Sequence, residues 1–413
     1  MIELRPHQQE AFRRILPHDG FLLFMEQRTG KTYVALRVAA ERKPARLLIT
    51  CPEIAIEVWR KALAAHGPIP GCVVRIVTHS MLSRERARLR RWAPDGVIAD
   101  ELHRFKSVTS KQSRALRSIA KTSDWRLGLT GTPTDGRAEH IWAQMYFANP
   151  SVFGKWTEFK AKHLVYGGFR KKKIVEYINM ETYKRKLDRY SYRVELAEVQ
   201  AVKTRFKPPT FHRFDLTGSA QAYADMEASF MVGLHSGARV VAPRVITQIM
   251  KLHQLSGGFV IDAEGEAHWF GHEKIEITMA LILKIARTRP MVVVVRFLPE
   301  LYRLAQLCRH FGISVDLISG GSQFTSFTAD VAIVQARSGL AIDLSRASIV
   351  VFHSFGYSYL DYEQSKFRIL TYDKTPEAEY HYVLANNSID NDIYQCLISK
   401  QSVASFIINK YRR

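Results

Sequence analysis

The chain has 413 residues, more than one ordinary domain holds, so two or three domains are expected. Its 46% hydrophobic content suffices for packed cores, and a net charge of +21 points to a polyanionic partner, nucleic acid ahead of an anionic membrane surface. Four scattered cysteines, Cys51, Cys72, Cys308 and Cys396, argue against a disulfide framework or a zinc site and for a reducing, cytoplasmic compartment. Met1-Ile2-Glu3-Leu4-Arg5-Pro6 has no apolar core and does not read as a signal peptide, and the longest apolar run, Met291 to Val295, is too short to span a bilayer.

Residues 6–16 place Phe12, Ile15 and Leu16 on one face, which predicts a helix. Apolar runs follow at 21–24, 45–50, 72–77, 96–99 and 127–129, separated by helical or loop stretches. Buried runs alternating with helices make a parallel sheet covered on both faces, an α/β domain. Near Pro150 the pattern becomes basic, aromatic and mainly helical. Residues 155–207 hold fifteen Lys and Arg against six Asp and Glu. Tyr166-Gly167-Gly168-Phe169 reads as a turn feeding Arg170-Lys171-Lys172-Lys173, a run suited to phosphate contact. Most of the interleaved Tyr166, Tyr177, Tyr183, Tyr190 and Tyr192 are expected to pack a small core. Pro208-Pro209 marks a linker, and helices are expected within 218–256. From about residue 272 the alternation resumes, with strands predicted at 291–296, 313–318, 331–335, 348–353 and 379–384. The expected division is 1–152, a basic insertion and linker at 153–271, and a second α/β domain at 272–413.

Two strings carry the chemistry. Arg28-Thr29-Gly30-Lys31-Thr32 follows Phe21-Leu22-Leu23-Phe24 and precedes a helical Ala/Val/Leu stretch. Strand, loop, Gly-Lys-Thr and helix is the context in which backbone N–H groups and a helix N-terminus face an anion. Lys31 suits the β and γ phosphates of a nucleotide, although Met25 stands where the first glycine of the full pattern belongs. Asp100-Glu101-Leu102-His103 follows Gly96-Val97-Ile98-Ala99, which places two carboxylates at the end of a buried strand. Thr32 and Asp100 suit Mg2+, and Glu101 suits polarisation of an attacking water, so together the strings read as a kit for NTP hydrolysis. His103 either ties this corner to the rest of the domain or lies on the surface.

Val97 to Ser107 resembles motif II of superfamily-two helicases, of the Swi/Snf-type branch, with Leu102 in place of the usual alanine. Leu127-Gly128-Leu129-Thr130-Gly131-Thr132-Pro133 resembles motif III. Leu4-Arg5-Pro6-His7-Gln8 is similar to the adenine-reading Q-type motif, Ile49-Thr50-Cys51-Pro52 with Trp59 to motif Ia, and Val77-Thr78-His79-Ser80 to motif Ib. In the second half, Ile246 to Phe259 resembles the segment before the second motor lobe. Ile333 to Gly339 with Ile342 to Ala347 resembles motif V, and Tyr362 to Arg368 resembles motif VI.

The resemblance implies two RecA-like parallel-sheet lobes and an ATP- and Mg2+-dependent motor on DNA, with RNA the lesser expectation. It implies a monomeric, compact bacterial or phage form. ATP would be held by Arg5, Gln8, Arg28, Thr29, Gly30, Lys31, Thr32, Gly339 and Asp343. Catalysis would fall to Lys31, Asp100, Glu101, Gln364 and Arg368, the last two from the second lobe. Pro52, Trp59, Thr78, His79, Gln335, Arg337 and Ser338 would face DNA, alongside the basic run Arg170 to Lys173. The sequence departs from the pattern twice: Arg28 stands where motif I has glycine, and Thr371 stands where motif VI has its second arginine. The alternative is an ATP-gated nucleic-acid-binding switch without productive motion.

Overall fold

The structure is a computed structural model that describes residues 3–107, 109–131, 137–168, 173–201, 203–234, 239–242, 245–320, 327–336, 343–370 and 377–399. It divides into two compact units, Met1–Ala201 and Val202–Arg413.

In the first unit, α1 (Pro6–Ile15) precedes β1 (Gly20–Met25), α2 (Lys31–Arg42), β2 (Arg46–Cys51), α3 (Ile56–His66) and β3 (Val73–Thr78). Then come α4 (Leu82–Trp92), β4 (Gly96–Ala99), α5 (Lys111–Ala120), β5 (Trp125–Leu129), α6 (Ala138–Ala148) and α7 (Trp156–His163). A hairpin of β6 (Leu164–Gly167) and β7 (Lys173–Tyr177), then α8 (Met180–Arg189), β8 (Ser191–Val194) and α9 (Leu196–Val199), completes it. Six strands form one parallel sheet in the order β3-β2-β4-β5-β1-β8. Every residue of β1 and β4 is buried, as their unbroken apolar runs require of central strands. Crossovers between parallel strands are right-handed, so α4 and α5, which run one way across the sheet, lie on one face, and α2 and α3 lie on the other.

The second unit opens with β9 (Thr210–Phe214), α10 (Ala220–Ser229), the hairpin β10 (Met231–Gly233) and β11 (Arg239–Val241), and α11 (Val245–Ser256). The hairpin β12 (Phe259–Ile261) and β13 (Ala267–Trp269), α12 (Glu273–Ile285), β14 (Met291–Val295), α13 (Leu298–His310) and β15 (Val315–Ile318) follow. Last are β16 (Val331–Gln335), β17 (Ile349–Phe352), α14 (Tyr359–Phe367), β18 (Glu379–Ala385) and α15 (Ile389–Ile398). Their sheet is also parallel and six-stranded, in the order β15-β16-β14-β17-β18-β9. Each sheet with its flanking helices is a RecA-like lobe, as the α/β alternation and the resemblance imply.

Residues 153–271 do not form a body of their own. Their start packs onto the first unit, where Phe153, Phe159 and Tyr183 join the same core as Trp142, and β8 pairs with β1. Their end belongs to the second unit, where β9 pairs with β18. The stretch also carries hairpins, so it is less helical than its periodicity suggests. Burial of Tyr183, with partial burial of Tyr166, Tyr177 and Tyr190 against that core, matches the packing role expected of them. Among the described residues no helix is long and apolar enough to cross a membrane.

Candidate active site

The β1–α2 connection has the form of an anion cradle. After Met25 the chain turns through Arg28 and Gly30, both left-handed at φ 67° and 84°, before α2 begins at Lys31. Glycine takes this conformation freely, whereas an L-residue such as Arg28 costs about 1 kcal/mol there. A Cβ on Gly30 would lie 2.1 Å from Gln8 Nε2. The loop is held from inside: Thr29 Oγ1 donates to the Glu26 carbonyl at 2.7 Å. The Thr29 carbonyl accepts from His7 Nε2 at 2.9 Å and Gln8 Nε2 at 3.0 Å. Gln8 Oε1 accepts from the Arg5 amide at 3.0 Å, so both ends of this buried side chain shape the cradle. The first N–H groups of α2 then present the positive end of the helix to whatever sits over Gly30 and Lys31.

The second half of the corner comes from β4. The Asp100 amide donates to the Thr50 carbonyl at 2.8 Å, which extends the pairing with β2. Asp100 Oδ2 accepts from Trp59 Nε1 at 3.0 Å, and Oδ1 accepts from the Glu101 amide at 2.9 Å. Glu101 is left-handed at φ 47° and opens the 3₁₀ turn Leu102–Phe105. A non-glycine residue in this region is a strained position of the kind that clusters at functional sites. His103 Nδ1 lies 2.9 Å from Thr130 Oγ1 and 3.2 Å from Glu101 Oε2. Thr130 is tied in turn to β1, its amide donating to the Leu23 carbonyl at 3.0 Å. Of the two readings of His103, the structure gives the linking one.

Burial and the neighbouring Glu101 charge push Asp100 up to about 6, against the pull of Lys31. Burial would raise Glu101 as well, but His103, Lys31 and Arg104 outweigh it and hold Glu101 down to about 2. The Lys31 charge therefore reaches both carboxyls, and Lys31, Asp100 and Glu101 belong to one corner. Two buried carboxyls beside one ammonium leave an excess of hard, anionic oxygen that suits a divalent cation of the Mg2+ kind. Thr32, at the second position of α2, adds a hydroxyl.

Of the side chains expected to face DNA in this unit, those of the two motif strings, Pro52, Trp59, Thr78 and His79, are buried. Trp59 is 1% exposed and points inward to Asp100, because its large ring completes the core while its N–H needs an acceptor. Thr78 Oγ1 lies 2.9 Å from Ser80 Oγ. The His79 ring packs edge-on against Phe105 at 4.7 Å, and burial drives its pKa down to about 3, so it is a neutral core residue.

In the second unit Gln364, on α14, and Arg368, at its C-terminal cap, are both buried and stand four residues apart, on one helical face. Gln335 ends β16 and donates to the Arg296 carbonyl at 3.4 Å. Asp343 is exposed and accepts from the Ser345 amide at 2.9 Å. Arg170, Lys171, Lys172, Thr132, Pro133, Arg337, Ser338, Gly339 and Thr371 lie outside the described residues, and Lys173 is described only as the first backbone position of β7.

Two features escape sequence reasoning. His7 sits beside Gln8 in the Q-type string, but only the fold shows that it grips Thr29. A buried polar cluster in the second unit has no local signature at all. There Lys274 Nζ lies 2.6 Å from Asp390 Oδ2, and Ser256 Oγ donates to Asp390 Oδ1 at 2.8 Å. Nearby, Glu300 accepts from the Phe297 amide at 3.1 Å and from Ser354 Oγ.

Residues 70–178 match the SNF2-related domain family. The chain is 26% identical over 174 residues to Protein CHROMATIN REMODELING 19 of Arabidopsis thaliana, covering 33% of this chain and 23% of that protein. It is 28% identical over 199 residues to DNA annealing helicase and endonuclease ZRANB3 of Mus musculus, covering 41% of this chain and 18% of that protein. The matched regions span less than a quarter of these relatives, 23% and 18% of their lengths. Among solved structures, a Sulfolobus solfataricus SWI2/SNF2 ATPase core in complex with dsDNA aligns at a TM-score of 0.46 and 18% identity, over 96% of this chain and 91% of that one. Residues 70–178 are thus similar to an SNF2-related domain, and the matched relatives include a chromatin-remodelling protein and an annealing helicase.

Proposed function

We propose that this protein is a DNA-dependent ATPase that uses ATP hydrolysis to translocate along DNA. The observation that carries the reading is the shared corner of Lys31, Asp100 and Glu101 beside the N-terminus of α2, where the Lys31 charge acts on both carboxyls. The α2 N–H groups and Lys31 bind the phosphate chain. Glu101, oriented by His103, accepts a hydrogen bond from the attacking water and aims it at the γ-phosphorus. Thr32 and Asp100 would hold Mg2+, which neutralises charge on the phosphate oxygens when bound. The Thr130–His103 contact ties Glu101 to the end of β5, so the residues after β5 can respond to the state of the nucleotide. The phosphate backbone would dominate DNA contact, which makes binding salt-dependent and largely sequence-independent.

Steady-state ATP turnover measured without nucleic acid and with single-stranded, duplex and forked DNA tests the reading. Strong stimulation by DNA, abolished in Lys31→Ala and Glu101→Gln, is expected. ATP-dependent DNA binding with no turnover on any substrate would overturn the motor and leave the switch. Displacement of a third strand from a triplex then checks for movement along duplex.

A further inference from the structure

Pro52, Trp59, Thr78 and His79 are buried, so these side chains offer a polyanion little surface on the first unit. One group of its exposed cations lies along α4 and α5. Helix α4 holds five arginines against Glu85 alone, and no acid occurs between residues 102 and 123, a stretch with six Lys and Arg. Leu82 and Leu89 of α4 and Ala115, Leu116 and Ile119 of α5 anchor both helices in one core, so their outer faces keep a fixed relation. Between those faces runs an open groove of about 410 Å³, lined by Arg84, Arg86, Lys111 and Arg114 with Ser83 and two alanines. All four cations are exposed, and none makes an ion pair among the described residues, while Glu85 is engaged by Arg88 at 3.3 Å.

Four cations around one concavity repel each other, and an anion laid between them relieves that repulsion. The two helices run in the same sense, so both N-terminal halves, with their partial positive charge, line the groove. Among the described residues its only apolar ones are the small Ala87 and Ala115. The rest of its carbon surface comes mainly from Arg and Lys stems that end in charge, a lining that suits an anion better than a wholly apolar ligand. Arginines at Arg88, Arg90 and Arg91 extend the charge along α4 beyond the reach of a single small anion.

We propose that the α4–α5 groove is where the first unit seats a nucleic-acid phosphate backbone. This rests on the proposed function as a DNA-dependent protein and adds to it a contact surface on the face opposite α2 and α3.

The test is equilibrium binding of the full chain to duplex DNA across a range of salt concentrations. It compares wild type, Arg86→Glu/Arg114→Glu, and a control with the same charge change on the other face, Lys43→Glu/Lys61→Glu. Thermal melting and binding of a fluorescent ATP analogue verify that each variant is folded. Each lost phosphate contact removes about 0.9 from the slope of log affinity against log salt, so the groove variant should lose roughly 2 and the control much less. Groove and control variants that weaken binding equally, or a groove variant that binds as wild type does, would overturn the proposal and leave an acidic protein segment as the groove's occupant. A wild-type protein that binds no DNA would instead sink the proposed function.

Discussion

Trp59 Nε1 donates a hydrogen bond to Asp100 Oδ2 at 3.0 Å, which joins α3 to the carboxylate corner at the end of β4. A tryptophan whose motif resembles a DNA-facing one thus supports the carboxylate corner. With the Glu101 amide on Oδ1, the Trp59 bond on Oδ2 sets the orientation of the Asp100 carboxyl. Removing an outer partner of a metal-holding group typically weakens metal affinity about 10–100-fold. Trp59→Phe keeps most of the packing and removes the donor, so the Mg2+ concentration for half-maximal ATP turnover should rise roughly 10-fold. A Mg2+ titration of turnover checks this, and an unchanged midpoint would contradict it.

Asp100 supplies a pH prediction. Its pKa is raised from 3.8 in the unfolded chain to about 6 in the folded one. The folded state therefore holds more protons than the unfolded state across that window, and the Asp100 contribution to stability falls as pH rises from 3.8 to about 6. Above it, a constant penalty remains. Asp100→Asn removes the charge and keeps an acceptor for Trp59. The variant should melt higher than wild type near neutral pH, with the difference shrinking toward acid. Its ATP turnover should be lost. A melting difference independent of pH would contradict the burial argument.

Gly30→Ala should abolish nucleotide binding without unfolding the first unit. The position needs φ 84°, and the new Cβ would meet Gln8 Nε2 at 2.1 Å. Left-handed backbone costs an L-residue about 1–2 kcal/mol, and relief by moving Gln8 breaks the bonds that shape the cradle. Calorimetry with an ATP analogue reads the effect. Retained affinity would show that Gln8 is not needed in place.

The Lys274–Asp390 pair should be worth most to the second unit when one partner is removed. Lys274 is 1% exposed and Asp390 is fully buried, and Lys274 helps hold the Asp390 carboxyl below its ordinary range despite burial. Lys274→Met leaves an unpaired buried charge and should destabilise by about 3–5 kcal/mol in chemical denaturation. Adding Asp390→Leu should recover much of that loss, and a double variant no more stable than the single one would contradict this.

What the sequence determined by itself is local. Buried runs at 21–24, 96–99 and 291–296 read as central strands because unbroken apolar stretches have few other places to go, and β1, β4 and β14 bear this out. Gly-Lys-Thr before a helix and Asp-Glu after a strand specify an anion cradle and a carboxylate corner from chain order alone. Tertiary structure decided whatever depends on residues far apart in the chain. It put β8 beside β1 and β9 beside β18, since parallel pairing leaves no mark on either strand. It turned Trp59 inward, because an amphipathic helix near a motif gives no sign of which side chain finds a buried acceptor. It also brought Lys274 to Asp390 across 116 positions, where a lysine at a helix start reads as exposed until the fold supplies its counter-charge.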